Sequence, residues 1–398
     1  MVQIQPFEVE LWLDKYEYTP GVLNISETCS APITLDELQG LSSSATPSPL
    51  LDTTLPLSYG AVRGSEQLRD LINRLHVGEG HDPENVIITQ GAIAANFLVF
   101  YTLVGKGDHV ICAYPTFQQL YSVPESLGAE VTLWKLKPEN GFIPDVSELA
   151  QLVKSNTKMI VINNPNNPSG AAIPTQTLKE IIDFGKERDI VVLSDEVYRP
   201  LFHGLGVDGA DIPPPATALG YQKTIVTGSM SKAYALPGIR IGWVATNDES
   251  IAQALREARS YTTISVSQID DQIAQYALSP EVYTNLIARN SGLARQNLEL
   301  LEAFVKRYPT VCSWVKPNSS STAFIQFRKN KPVPAPVDDV AFCLDVLEKT
   351  KVMLVPGSKC FGEGKDFEGY VRIGYACSSE VLIEALQKLG EYVEQHLL

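Results

Sequence analysis

Long apolar runs are missing from this chain: stretches such as 96–104 are among its longest and fall well short of the ~20 residues that span a bilayer. A membrane-embedded protein is excluded on that reading. Basic charge is also scarce, with Lys+Arg 32 against Asp+Glu 46 and a formal charge of -14. That balance opposes general affinity for nucleic acid or an anionic membrane surface. Six cysteines (Cys29, Cys112, Cys312, Cys343, Cys360 and Cys377) are scattered, with no C-x-x-C pair and no histidine spacing beside them. They read as reduced thiols, and neither a zinc site nor a disulfide framework is expected. The opening MVQIQPFEVELWLDKYEY lacks the basic start and apolar core of a secretory leader, so a cytoplasmic protein without a bound metal is expected.

What is present is an ordinary globular composition, 398 residues with 44% hydrophobic and 20% charged. At ~100–200 residues per domain this predicts two domains. Residues 1–48 read as an N-terminal arm joining the small domain, with a short helix over 11–18 and a Ser/Pro loop over 41–48. From there apolar runs alternate with helical periodicity. Strands are expected over 85–89, 109–113, 130–135, 159–163, 190–194 and 224–227, and helices over 66–75, 92–104, 117–127, 149–154 and 176–186. This rhythm predicts crossover units and an α/β large domain, 49–284, whose mostly parallel mixed sheet lies between helices. Ligands of such sheets sit at the carboxyl ends of the strands. After 249 the pattern turns helical, including 282–304, and the rest (strands at 323–327, 352–355 and 370–375, helices at 340–349 and 379–397) predicts a smaller α+β domain, 285–398. The PVPAP stretch, 332–336, reads as a rigid surface loop.

Residues 224–243, TIVTGSMSKAYALPGIRIGW, organise this pattern. A β-branched run delivers Lys232 into a bend, with Ser229 and Ser231 before it, Pro237-Gly238 turning the chain after it, and Arg240 spaced to return to the same place. An amine nucleophile beside phosphate-binding groups suits pyridoxal 5'-phosphate (PLP): the lysine holds the aldehyde as a Schiff base while hydroxyls and arginine hold the phosphate. A surface loop with a solvated lysine is the competing reading of S-x-S-K taken alone. Four further stretches bear on the choice. Gln90-Gly91-Ala92, between a strand and a helix, leaves the N–H groups of Ala92 and Ile93 available to a phosphate. Asp195, in IVVLSDEVY, ends a buried strand, where a carboxylate needs a partner such as a protonated ring nitrogen; Glu196 beside it reads as a helix N-cap. NNPNNPSG, 163–170, is a tight turn with a candidate cis bond at Asn167-Pro168. Arg372, in YVRIGYA, could hold a carboxylate by two parallel hydrogen bonds or lie on the surface.

Ser229 to Gly242 fits S-x-S-K followed by P-G-x-R-x-G, and with the stretches above the chain resembles the class I/II aminotransferase family of fold type I PLP enzymes. The resemblance runs in order from Tyr59 to Arg372. It implies a Schiff-base lysine at Lys232 and a phosphate cup of Gly91, Ala92, Ile93, Ser229, Ser231 and Arg240. It implies that Phe117 stacks on the cofactor ring, Asn167 and Tyr198 hydrogen-bond its phenolic oxygen, Asp195 keeps its nitrogen charged, and Arg372 pairs with the substrate α-carboxylate. Tyr59 matches a position that reaches the phosphate in the neighbouring subunit's site, so a homodimer with shared active sites is implied, and 261–267 would add hydroxyls from that neighbour.

Two stretches depart from the family. Residues 24–31, NISETCSA, hold no glycine where many members leave space over the substrate, and 318–324, NSSSTAF, lacks the usual glycines too. These departures, with ENGF at 139–142 and Lys232-Ala233-Tyr234, are most similar to the capreomycidine synthase branch. The expected activity is transamination between an L-amino acid and a 2-oxo acid; the alternative is β-elimination and cyclisation of a substituted, cationic amino acid. Glu27 reads either as partner for a cationic substrate side chain or as a solvated loop acid.

Overall fold

The computed structural model describes residues 3–77, 82–206, 211–330 and 335–398. The arm holds a helix, Glu8–Tyr16, and strand β1, Leu23–Asn24. Strands β2 (Val86–Thr89), β3 (His109–Tyr114), β4 (Glu130–Lys135), β5 (Thr157–Asn163), β6 (Val191–Asp195), β7 (Thr224–Ser229) and β8 (Gly242–Thr246) make a seven-stranded sheet. Its order is β2-β8-β7-β6-β5-β3-β4. Within it β3 to β7 run parallel, while β8 is antiparallel to both of its neighbours. Every residue of β2, β3, β6, β7 and β8 is buried. Such continuous apolar runs are what a sheet covered on both faces requires. The helices Gly91–Leu103, Gln119–Ser126 and Thr175–Glu187 supply part of that cover.

Chain direction along the sheet reverses around β3: the chain steps outward from β3 to β4, then returns past β3 to β5, β6 and β7. The carboxyl ends of these strands form one edge. Because β8 is antiparallel to both β2 and β7, the carboxyl end of β2 joins that edge as well.

Strands β9 (Cys312–Trp314), β10 (Thr322–Lys329), β11 (Ala335–Pro336), β13 (Val355–Pro356) and β14 (Tyr370–Gly374) make the second sheet, entirely antiparallel. Strand β12 (Val352–Met353) instead pairs in parallel with β1 of the arm. The expected single strand over 352–355 is thus two: Leu354 separates residues bonded to the arm from residues bonded to β14. The arm is fastened further by Trp12, whose Nε1 donates to Leu354 O at 2.8 Å. Helix Tyr283–Arg307 links the two sheets, since Asn290 Nδ2 donates to Ala233 O and Asn297 Nδ2 to Tyr375 O.

Other boundaries shift for local reasons. The helix expected over 66–75 is α-helical at Glu66–Ile72 and widens to a π turn at Asn73–Val77. That over 117–127 starts at Gln119, because the chain bends at Pro115 after β3 and runs irregularly through Phe117 before it coils. Strands β8 and β9 have no counterpart in the sequence expectations. Of the loop expected over 332–336, residues 332–334 lie outside the described residues, and Ala335–Pro336 pairs with β10. Among the described residues no helix is long and apolar enough to cross a membrane.

Candidate active site

At the carboxyl edge of the large sheet, where it meets the arm and β14, lies a cavity of about 280 Å³. Lys232, Asp195, Tyr198, Asn167, Phe117, Ser229, Ser231, Arg240, Arg372, Ala92, Ile93 and Glu27 all line it. Residues from five strand ends and two distant segments therefore converge on one space.

The Ser229 end of the cavity is shaped by close backbone approach. Ser231 N donates to Ser229 Oγ at 3.0 Å, the two hydroxyl oxygens lie 2.8 Å apart, and Arg240 Nη1 donates to Ser231 Oγ at 3.3 Å and to Pro237 O at 2.8 Å. Across from them the helix Gly91–Leu103 begins, and Gln90 gives it no side-chain cap. Gly91 has φ +78, and a Cβ there would lie 2.7 Å from Arg240 Nη2; one on Gly242 would lie 2.3 Å from Gly91 C. Glycine at both positions lets the helix start, the strand and the guanidinium crowd together. Uncapped N–H groups, two hydroxyls and a cation are the donor set that a phosphate monoester takes.

Asp195 ends β6, opposite Asn163 of β5. It is buried, and Asn96 Nδ2 donates to its Oδ2 at 2.9 Å while Val197 N donates to Oδ1 at 3.1 Å. Burial pushes its pKa up to about 6, against the pull of those two bonds. Thr227 donates to Asn96 Oδ1 at 2.7 Å, which fixes the amide so that its NH2 faces the carboxylate. A buried carboxylate held this way favours a cationic partner in front of it. Asn96 escaped the sequence reading, yet it is the lone polar residue of GAIAANFLVF, 91–100, in helix Gly91–Leu103, and a buried amide in an apolar stretch needs a partner. Glu196 does not cap a helix: a turn follows β6, and Glu196 is buried in a pair with Arg199 at 2.7 Å and accepts from Ala216 N.

Lys232 meets the arm. Its Nζ lies 2.7 Å from Thr28 Oγ1, 3.3 Å from Glu27 Oε1 and 3.4 Å from Cys29 Sγ. Burial works to lower its pKa, but Cys29, Glu27 and Tyr198 outweigh it and the balance is upward. Lys232 in turn holds the Glu27 carboxyl well below the usual range. Glu27 lines the cavity with its side chain 43% exposed, and the lysine of its own chain is the cation it meets at 3.3 Å. Burial pushes the Cys29 thiol up to about 11. Burial likewise raises the Tyr198 phenol, with Lys232 opposing.

Arg372 comes from β14 and is buried, with Nη2 donating to Ser26 O at 2.8 Å and Nη1 to Asn167 Oδ1 at 3.3 Å. Its Nε is buried without a partner among the described residues, which leaves that N–H for a ligand. Asn167-Pro168 is cis, as are Asn164-Pro165 and Arg199-Pro200. Phe117 faces the cavity and packs on Phe7 of the arm, ring centroids 4.9 Å apart; Tyr114 is turned into the core instead. Tyr59 stands apart. It is 81% exposed and lies beside Val266 and Gln268, outside the cavity of its own chain, and Tyr261 is 91% exposed.

A lysine, a buried acid and a donor set suited to a phosphate, gathered at the carboxyl edge of such a sheet, point to one class of cofactor-dependent enzyme. The chain belongs to the aminotransferase class I and II family, whose model matches residues 44–389. It is 30% identical over 390 residues to capreomycidine synthase of Streptomyces vinaceus, covering 98% of this chain and 94% of that protein. It is also 30% identical over 346 residues to aspartate aminotransferase of Pyrococcus horikoshii, covering 84% and 83%. Among solved structures, a PLP-dependent aminotransferase from Streptococcus suis superposes with a TM-score of 0.86 at 37% identity, covering 99% of this chain and 98% of that one. The architecture is thus fold type I.

Proposed function

We propose that this chain is a PLP-dependent aminotransferase that moves the amino group between an L-amino acid and a 2-oxo acid, with Lys232 as the amine that carries the cofactor. The observation that carries this reading is the convergence of Lys232, Asp195 and the half-satisfied Arg372 on one cavity beside an anion cup. Bound PLP would supply an aldehyde for the substrate's amino group and a ring that accepts the electron pair left when a bond to Cα breaks.

The chain's own residues do the rest. Ser229, Ser231, Arg240 and the N–H groups that follow Gly91, on Ala92 and Ile93, would hold the phosphate. Phe117 would cover one ring face, Asn167 and Tyr198 would donate to the phenolic oxygen, and Asp195, ionised by a cationic neighbour, would hold the ring nitrogen's proton. Arg372 binds the substrate α-carboxylate through its unpaired edge and so orients Cα. Lys232 holds and moves the proton at Cα. The arm and Arg372 exclude water from one side of that atom.

Tyr59, Ile93, Phe97, Tyr101, Tyr261 and Ile264 are all exposed. Exposed apolar side chains of this size support a homodimer in which Tyr59 reaches the partner's phosphate cup. The division into arm 1–48, large domain 49–284 and small domain 285–398 belongs to the same reading, as does a cytoplasmic location, which six free thiols support.

A second reading is favoured by one feature, the side chains of 27–29 packed over Lys232 where the family often leaves room. Loss of the Cα proton followed by departure of a β-substituent needs the same residues, and similarity to capreomycidine synthase supports it. Incubation with L-amino acids and a 2-oxo acid separates the two: amino-group exchange supports the first, ammonia or a cyclised product the second. Borohydride reduction and peptide mapping should place a pyridoxyl group on Lys232; a label on another lysine overturns the assignment.

A further inference from the structure

Three groups from consecutive residues, Glu27 Oε1, Thr28 Oγ1 and Cys29 Sγ, surround Lys232 Nζ at 3.3, 2.7 and 3.4 Å. An ammonium has three N–H donors and no acceptor. All three are thus directed to one loop of the arm.

That loop is built to stay where it is. Arg372 Nη2 donates to Ser26 O at 2.8 Å, Gly374 N to Ile25 O at 2.8 Å, Ser30 N to Lys232 O at 3.1 Å, and Ser321 Oγ to Thr28 O at 2.5 Å. The Glu27 carboxylate is aimed by its own backbone, Oε1 accepting from Thr28 N at 2.6 Å and Cys29 N at 3.0 Å. A Cβ on Gly374 would come within 1.7 Å of Glu27 O, so the loop lies closer to β14 than any other residue there would permit.

From this we infer that residues 27–29 form a parking site for the free Lys232 ammonium, competing with its attachment to the cofactor. The inference rests on the reading that Lys232 carries PLP. When the Lys232 nitrogen condenses with an aldehyde carbon, water leaves and Nζ keeps at most one hydrogen, so it can no longer serve three acceptors. Whatever stabilises the parked ammonium therefore favours the lysine's release and opposes its return. A group that binds one state of an equilibrium and not the other shifts it toward the state it binds. Thr28 and Glu27 are positioning residues in this scheme. Glu27 accounts for the charge, and Thr28 makes the shortest contact.

The test begins with cofactor-free protein titrated with PLP. E27Q and T28V should each bind PLP more tightly than the parent, by roughly three- to tenfold, since a tenfold change corresponds to about 1.4 kcal/mol. T28S, which keeps the hydroxyl, should return toward the parent value. A second readout needs no cofactor: reductive methylation of Lys232, followed by peptide mass, should be faster in E27Q and T28V than in the parent. Unchanged or weaker PLP binding in both variants, with methylation rates also unchanged, overturns the parking site. Borohydride mapping of the parent keeps the two ideas apart. A label on Lys232 with unaltered variants sinks only the parking site, whereas a label elsewhere sinks the assignment of Lys232 itself.

Discussion

The two sides of the cavity are assembled in different ways. On one side Gly91, Asn163, Asp195 and Ser229 each stand at or just beyond the carboxyl end of a strand of the large sheet, and the sheet's ladder sets their spacing. On the other, Glu27 and Thr28 of the arm meet Arg372 of β14 across most of the chain's length, held by isolated side-chain and backbone bonds. The first side is placed by regular structure and carries the groups suited to the cofactor. The second is placed by long-range docking and carries Arg372 and the acceptors gathered around Lys232. Chemistry held by a ladder tolerates change around it, whereas a docked loop depends on a few close contacts.

Breaking the first side should cost most. Lys232→Ala removes the proposed carrier and proton-transfer group, and amino-group exchange should fall by at least about 10³-fold, the scale of a lost acid–base group. Exchange within tenfold of the parent would end that assignment. Asp195→Asn should lower turnover by about 10²- to 10³-fold, as for other preorganised electrostatic groups.

That same substitution has an opposite effect on the cofactor-free fold. Because burial lifts Asp195 from 3.8 to about 6, the folded chain keeps a proton between those values that the unfolded chain releases. Stability therefore falls as pH rises through that window, and an asparagine does not share the loss. Thermal melts of the two cofactor-free proteins should diverge as pH goes from about 4 to 6, with Asp195→Asn the more stable above it; parallel curves would contradict the buried, protonated carboxyl.

Gly374→Ala sharpens the contrast by touching only the docked side. The added methyl would collide with Glu27 O, and overpacking of this kind costs about 1–3 kcal/mol. We expect KM for the amino acid to rise while borohydride still labels Lys232. A normal KM would show that the loop does not border the substrate. The smallest effect belongs to neither side: Lys179→Ala removes an exposed i,i+4 pair with Asp183, for which a loss near 0.3–0.5 kcal/mol is expected. A melting shift comparable to that of Gly374→Ala would mean that surface pairs matter here more than the docked loop.

The same asymmetry decided what could be read from the sequence. Ser229, Ser231, Lys232 and Arg240 fall within twelve residues, so their bend is local and their convergence legible. Asp195 was legible as an acid closing a buried apolar run. Thr28 and Cys29 carry no local sign of a role, because what makes them neighbours of Lys232 is the docking of the arm on β14. Strand β8 escaped notice because it follows the Pro237 turn directly and pairs antiparallel within an otherwise parallel rhythm. The split of 352–355 depends on a partner, β1, that lies more than three hundred residues away. Local pattern reports strand ends well and says little about which distant segment lands on them.

The bond from Trp12 to Leu354 and the pairing of β1 with β12 also bear on how the enzyme comes into being. A ribosome releases the arm first, yet the partners that fasten it at Val352, Met353 and Leu354 are made near the end of synthesis. The large sheet can close around Lys232 while those late partners of the arm are still missing, since domains fold as units during translation. An emerging chain is therefore able to set Ser229, Ser231 and Arg240 in place before the arm is fully fastened. On this order of events the contacts of Glu27, Thr28 and Cys29 with Lys232 are locked in place once the last segments leave the ribosome.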